Sequence, residues 1–309
     1  MRYRRLGRTG LDISICTLGT AARDRGEARN AWAIAFEQGV NAVELEAAAG
    51  IAEPLGRLLA EQGARDRVHV LARIPSLVPF DLPSPHILAD RAYPGAHIVA
   101  QCEALLKALG VERLGLLLLP DWCPEWWHEG NWLETLAGLK EAGKVAGFGV
   151  SLFDHDIEAA LEGPAGGLID AVEVMYNIFD PHAAAELLPL CGRRDVGVIV
   201  RSPLYYGMLV PRSERPASFP ADDWRGEFFF DVHLDETRHR ADRLEHLASQ
   251  AGISLSELAL RFSVSHPAVS TVAVGTSSAA HLAANLAALE RGPLTDEMLR
   301  ALSAHRWLC

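Results

Sequence analysis

Eight short apolar runs recur along the chain, and each is followed by a longer amphipathic stretch. The runs are Ile15–Leu18, Ala42–Leu45, Val68–Ala72, Gly115–Leu119, Ala146–Val150, Ala171–Val174, Val196–Val200 and Thr271–Val274. They are near-continuously hydrophobic rather than alternating, as parallel strands covered on both faces must be. The stretches between them carry helical periodicity: Ala28–Gln38, Glu53–Glu61, Ile98–Ala108, Trp132–Ala142, His155–Leu161, Ala183–Leu190, Leu255–Phe262 and His281–Leu289. Eight strands alternating with eight helices predict an α/β chain closed into a (β/α)8 TIM barrel. A doubly wound open sheet is the rival. It usually carries a Gly-rich phosphate loop after its first strand, and Leu18-Gly19-Thr20-Ala21 does not fit that pattern.

Such a barrel needs roughly 250 residues. The 309 present therefore predict one domain over residues 1–309, and a hydrophobic share of 49% is enough for its core. Tyr3–Ile13 reads as an N-terminal β-hairpin able to plug the barrel bottom, and a C-terminal helix closes the chain. Residues Tyr205–Asp235 form a long segment rich in Pro and aromatics, followed by a helix near Glu236–Ala251. A loop of that length in a compact domain points to function or to mobility.

The formal net charge is -11. An acidic chain repels phosphate backbones and anionic lipid, so neither nucleic acid nor a membrane is expected as a partner. No apolar stretch follows the basic start as a signal peptide requires, and the five cysteines form no Cys-x-x-Cys pair. These features predict a cytoplasmic protein with reduced thiols. The twelve histidines lack ligand spacing, so no metal is expected.

The order of several short motifs resembles the aldo-keto reductase superfamily. They are Tyr3-Arg4-Arg5-Leu6-Gly7-Arg8-Thr9-Gly10-Leu11, Gly147-Phe148-Gly149-Val150-Ser151, Tyr176-Asn177, Ser202-Pro203-Leu204 with Gly207 and Leu209, Leu258-Ala259-Leu260-Arg261-Phe262, and Gly275 with Asn285. Each is weak alone; their order and spacing make the resemblance specific. It implies the same barrel, NADP(H) as cofactor, and a Tyr, Lys, Asp and His that deliver a proton to a reduced carbonyl. Carried over position by position, that tetrad falls on other residues. The Asp becomes Glu44, the Tyr Ala49, the Lys Arg73 and the His Pro120. Ala49 has no proton to give, Arg73 does not release its own, and Pro120 lacks an imidazole.

The resemblance places cofactor contacts at Ser151, Ser202, Leu204, Gly275, Thr276, Ser277, His281 and Asn285. Gly275 and His281 stand where basic residues would hold the 2′-phosphate, and Glu173 replaces an amide that would hold the carboxamide. Thr276, Ser277 and a helix N-terminus remain able to hold an anion.

Barrel sites lie at the C-terminal ends of the strands. That rule gathers Glu44, Glu46, Arg73, Asp121 and Glu173 as candidate catalytic residues. Mixed carboxylates and a guanidinium suit acid/base work, and carboxylates side by side raise each other's pKa. Candidate substrate contacts are Arg201, Tyr205 and Tyr206, together with Trp122 and Trp126 on the Trp-rich loop after the fourth strand. Aromatics there suit an apolar or ring-bearing ligand, and Trp224–Phe230 offers a second wall. Cys123 has no positioned base and reads as inert.

The first functional expectation is an enzyme acting on a small-molecule substrate by redox-neutral chemistry: elimination, isomerisation or cyclisation. The second is an NADP(H)-dependent oxidoreductase with substitute acids. The third is a non-catalytic ligand-binding or assembly protein.

Overall fold

The structure, a computed structural model, describes residues 1–20, 25–78, 87–275 and 278–307. Its strands are β1 (Tyr3–Arg5), β2 (Asp12–Ser14), β3 (Cys16–Gly19), β4 (Ala42–Glu46), β5 (His69–Arg73), β6 (Leu114–Leu119), β7 (Val145–Ser151), β8 (Ala171–Met175), β9 (Gly197–Arg201) and β10 (Thr271–Gly275). Strands β3 to β10 close into a parallel barrel, β10 pairing with both β9 and β3. Each predicted apolar run lies within two residues of an observed strand. Burial on both faces leaves such segments little room for polar residues, and this makes them readable.

Side chains alternate across each strand. One set from β4, β5, β6, β8, β9 and β10 (Ala42, Leu71, Leu116, Leu118, Ala171, Ile199 and Ala273) packs into a core cluster of its own inside the barrel. Leu6 and Ile13 join that cluster from the N-terminal hairpin, where Tyr3 pairs with Ser14 and Arg5 with Asp12. The hairpin therefore plugs the barrel. Its tip sits so close that a Cβ on Gly7 would fall 2.2 Å from the Gly197 amide nitrogen, and Gly7 itself has φ +50°. Gly7→Ala is expected to lower stability by about 2 kcal/mol or more, combining a left-handed backbone with a backbone clash. A denaturant midpoint unchanged from the parent would sink this account.

Helices start where short polar side chains satisfy their free amides. Ser254, Ser278 and Thr295 accept from the backbone N–H of Glu257, His281 and Met298. The predicted helix over His155–Leu161 is not formed. His155 has φ +66°, and only a three-residue turn at Glu158–Ala160 and a short helix at Glu162–Gly166 follow. An α-helix cannot accommodate that backbone. The helix expected over Ala183–Leu190 begins instead at Leu187 and runs to Arg194. The long segment after β9 folds into short turns at Tyr205–Gly207 and Arg212–Glu214, a helix at Arg225–Phe228, and then Asp231–Gln250. Asp296–Leu302 forms the helix expected near the C-terminus. Among the described residues no helix is long and apolar enough to cross a membrane.

Candidate active site

Two-residue spacing carries the interior positions up to the barrel mouth. Beyond Ala42 come Glu44 and Glu46, beyond Leu71 comes Arg73, beyond Ala171 comes Glu173, and beyond Ile199 comes Arg201. The register sets Glu46 beside Arg73 and Ser151 beside Glu173. The four strands thus bring together carboxylates and guanidinia that lie far apart in sequence.

Arg73 is the hub. Its Nη2 lies 3.2 Å from Glu44 Oε1 and 3.5 Å from Glu46 Oε2, and its Nη1 lies 3.5 Å from Glu173 Oε2. Burial works against the Arg73 charge, but Glu173, Glu44, Glu46 and Asp121 outweigh it and push its pKa up. Glu173 is wholly buried (0% exposed), and neither of its oxygens has a hydrogen-bond donor among the described residues. Glu44 is its neighbour. Burial pushes the Glu44 carboxyl up to about 8, Glu173 adds to this by charge and by a hydrogen bond, and Arg73 and Arg201 oppose it. A carboxylate is an acceptor only, so a hydrogen bond between the two acids requires a proton. Placed on Glu44 at neutral pH, that proton supplies the donor Glu173 otherwise lacks.

Asp121 follows β6 with φ +55° and faces the same cluster. Burial raises its pKa, Arg73 and Arg201 oppose this, and Glu46 adds to it. Glu46, Arg73 and Asp121 line a cleft of about 270 Å³, with Ile74, Pro75 and Pro120 among its other walls.

On the far side, Arg201 Nη2 lies 2.5 Å from Asp154 Oδ1 and donates to the Leu152 carbonyl at 2.7 Å. The Tyr206 hydroxyl donates to Asp154 Oδ2. Burial and the Asp154 charge push that phenol up to about 12. Ser202, Tyr205 and Tyr206 all have positive φ. Three such residues in one turn concentrate backbone strain beside the site. His155 Nδ1 meets Asp180 Oδ2 at 2.7 Å, while its Nε2 is buried without a partner among the described residues. The Asp180 hydrogen bond raises the His155 pKa against its burial. Nothing in the sequence marks Asp154, His155 and Asp180 as site residues. They sit in loops, where no periodicity points to the barrel mouth.

The aromatic expectations divide. Trp122 and Trp126 do not form a substrate wall: they are 0% and 1% exposed. They pack edge to face at 5.5 Å, and Trp122 also meets Trp127 and Trp132. The indole N–H groups of Trp126, Trp127 and Trp132 are taken up by the carbonyls of Ile87, Ala159 and Trp126. Burying four indoles together removes more apolar surface from water than lining a cleft would. Tyr205 is also wholly buried, packed between Phe179 and Phe229, and so is no ligand contact. Tyr206 is partly open and packs against Trp224 and Phe228 at 4.8 and 5.0 Å. The second aromatic stretch therefore adjoins Arg201. Burial and nearby carboxylates push the Cys123 thiol up to about 12, which fits an inert group.

The positions matched to cofactor contacts are scattered in accessibility. Ser151 and Asn285 are buried, whereas Ser202 and Leu204 are half-buried. Gly275 is open, with nothing near a would-be Cβ. His281 is exposed and lies 3.8 Å from Glu214. Thr276 and Ser277 lie outside the described residues. From Gly275 to Asn285, His281 is the one side chain able to carry positive charge. With Glu173 and Ser151 sealed as well, the chain sets a buried carboxylate in place of an amide at the matched carboxamide position and a single imidazole at the matched 2′-phosphate position. No group of acids, histidines and cysteines among the described residues is arranged to hold a metal.

Comparison with known proteins agrees with the barrel and its motifs. An aldo-keto reductase of Bacillus halodurans in its holo form, AKR11C1, superposes with a TM-score of 0.78 at 23% identity, covering 99% of this chain and 96% of that one. The glycerol dehydrogenase AKR11B4 of Gluconobacter oxydans gives 0.76 at 21% identity, covering 98% and 94%. In sequence, an aldo-keto reductase of Pseudocercospora fijiensis is 29% identical over 63% of this chain and 71% of its own length. A probable voltage-gated potassium channel subunit beta of Arabidopsis thaliana is 24% identical over 95% of this chain and 93% of its own. The oxidoreductase YqkF of Bacillus subtilis is 24% identical over 56% of this chain, and the match spans only 54% of that relative. The model of the aldo/keto reductase family matches residues 17–306, and the chain belongs to that family.

Proposed function

We propose that this chain is a small-molecule enzyme that works by acid–base chemistry at the barrel mouth, without net oxidation or reduction. The observation that carries this reading is the Glu44–Glu173 pair beneath Arg73. A buried carboxyl pushed up to about 8, beside a second buried carboxyl that lies 3.5 Å from the Arg73 guanidinium, is a proton donor with its own acceptor. Substrate enters the cleft bordered by Glu46, Arg73 and Asp121. Asp121 takes a proton from it, Arg73 offsets the negative charge that develops, and Glu44 returns a proton. Glu173 does not touch substrate; it accepts from the protonated Glu44, and after each turnover Asp121 releases its proton to solvent and Glu44 takes one up. Elimination, isomerisation and cyclisation all use this sequence of steps.

Membership of the aldo/keto reductase family favours a second reading, NADP(H)-dependent reduction of a carbonyl with Glu44 as the substitute acid. Cofactor titration separates the two. NADPH or NADH added to the purified protein is expected to give no saturable change in tryptophan fluorescence or heat up to millimolar concentration. Small hydroxy and keto compounds incubated in heavy water are expected to include some whose C–H bonds exchange, and Glu44→Gln and Asp121→Asn are expected to slow that exchange by about a hundredfold or more. Tight cofactor binding with no exchange would overturn the first reading in favour of the second.

A further inference from the structure

Outside the barrel lies a second cavity of about 360 Å³ that takes no part in the chemistry above. It is enclosed by the loop after β8, the end of helix Leu255–Ser265 and the C-terminal segment from Leu299 to Arg306. Its walls are mostly apolar, with Ile178, Phe262, Leu299 and Leu302 contributing. This volume falls in the range of small-molecule sites.

Tyr176, His266 and Arg306 bring hydrogen-bond donors to this apolar space, beside His182, Ser265 and Ser303. Among the described residues, the Tyr176 hydroxyl has no hydrogen-bond partner, although Tyr176 is only 5% exposed and its ring is fixed against Phe262 at 5.1 Å. The Arg306 guanidinium has no carboxylate partner there either. It lies near enough to Tyr176 for its charge to oppose the burial that raises the phenol. The His266 Nδ1 accepts the Ala268 amide at 3.3 Å, so in the neutral ring Nε2 carries the proton. Burial lowers the His266 pKa, which favours that neutral ring. No aspartate or glutamate lines the cavity. Donors and a cation without acidic neighbours, set on an apolar wall, match one ligand chemistry: an anionic head on an apolar body.

We propose that this cavity is an accessory binding site for a small monocarboxylic acid with an aromatic or branched aliphatic body. The carboxylate pairs with Arg306 and accepts from Tyr176 and His266, while the body packs on Phe262 and the leucines. The site is separate from the barrel mouth, so it stands whichever reaction the mouth performs.

The test uses 3-phenylpropionate as probe and 3-phenylpropanamide as its neutral match, with the full chain and calorimetry. The acid is expected to bind saturably and at least about tenfold more tightly than the amide, as loss of a charged hydrogen bond implies. Arg306→Ala and Tyr176→Phe are each expected to weaken the acid. Ala185→Phe is expected to abolish binding by filling the cavity from an exposed position that folding does not depend on. No saturable binding at millimolar acid would overturn the proposal. Equal binding of acid and amide, or binding that survives Ala185→Phe, would overturn it as well, because either places the ligand elsewhere.

Discussion

Replacing Arg73 with methionine is expected to cost about 3–5 kcal/mol of stability at pH 8, the loss seen when one member of a buried ionic cluster is removed. Three carboxylates, Glu44, Glu46 and Glu173, lie within 3.5 Å of its two terminal nitrogens. Without the guanidinium, the wholly buried Glu173 loses the cation that lies 3.5 Å from it, in a site closed to solvent. The methionine fills the space of the arginine stem, so little of the loss comes from a cavity. At pH 5 the Glu44 carboxyl, pushed up to about 8, carries no charge, and the loss is expected to shrink. The double variant Arg73→Met with Glu173→Gln is expected to recover more than half of the deficit, because the amide carries no charge and brings its own donors. Denaturant midpoints at the two pH values, with the slope m checked for constancy, measure this. A loss below about 1 kcal/mol at both pH values would mean that the cluster is solvated and that Arg73 is not its hub. Strong coupling between the two positions in the double-mutant cycle is the positive signature.

The barrel and the inner cluster were legible for the same reason. A strand buried on both faces reads as a continuous apolar run, so a charged residue within it stands out: Glu44 in Ala-Val-Glu-Leu, Glu173 in Ala-Val-Glu-Val, Arg201 after Val-Ile-Val. Two-residue alternation from Ala42, Ala171 and Ile199 then sets those charges on the inner side. Loop residues give no such reference. The neighbours of His155 have helical spacing, which places it in a predicted helix. Only the folded chain shows that its ring is claimed by Asp180 and its backbone is left-handed. Trp122 and Trp126 illustrate the converse. An aromatic on a loop at the barrel mouth suits a substrate wall or a satellite core equally well, and the difference lies in whether other indoles can cover it. Here Trp127 and Trp132 do so. The pairing of Glu44 with Glu173 was also beyond sequence reasoning. Strand identity shows that both face inward, but which two of several acids share a proton depends on depth and on how Arg73 divides its nitrogens.

That shared proton gives the second large effect, a dependence of stability on pH that runs opposite to that of an ordinary salt-bridged carboxylate. In the unfolded chain Glu44 titrates near 4.5, and in the folded chain it is pushed up to about 8. Between these values the folded state holds a proton that the unfolded state has released. The stabilisation linked to that proton is fully present below the unfolded pKa and is lost as pH rises through the folded pKa. Stability is therefore expected to fall from about pH 5 to about pH 8, with a contribution from Glu44 of up to about 1.4 kcal/mol per pH unit. Glu44→Gln keeps a donor facing Glu173 but cannot ionise, so it is expected to flatten this part of the profile and to be more stable than the parent at pH 8. Glu44→Asp shortens the side chain and retracts it from Glu173; it is expected to weaken the dependence without abolishing it. Thermal or denaturant unfolding at half-unit pH steps, parent against Glu44→Gln, reads the difference directly. Parallel profiles for the two proteins would show that Glu44 ionises normally in the folded state. The proton donor on which the proposed chemistry depends would then be absent from this position.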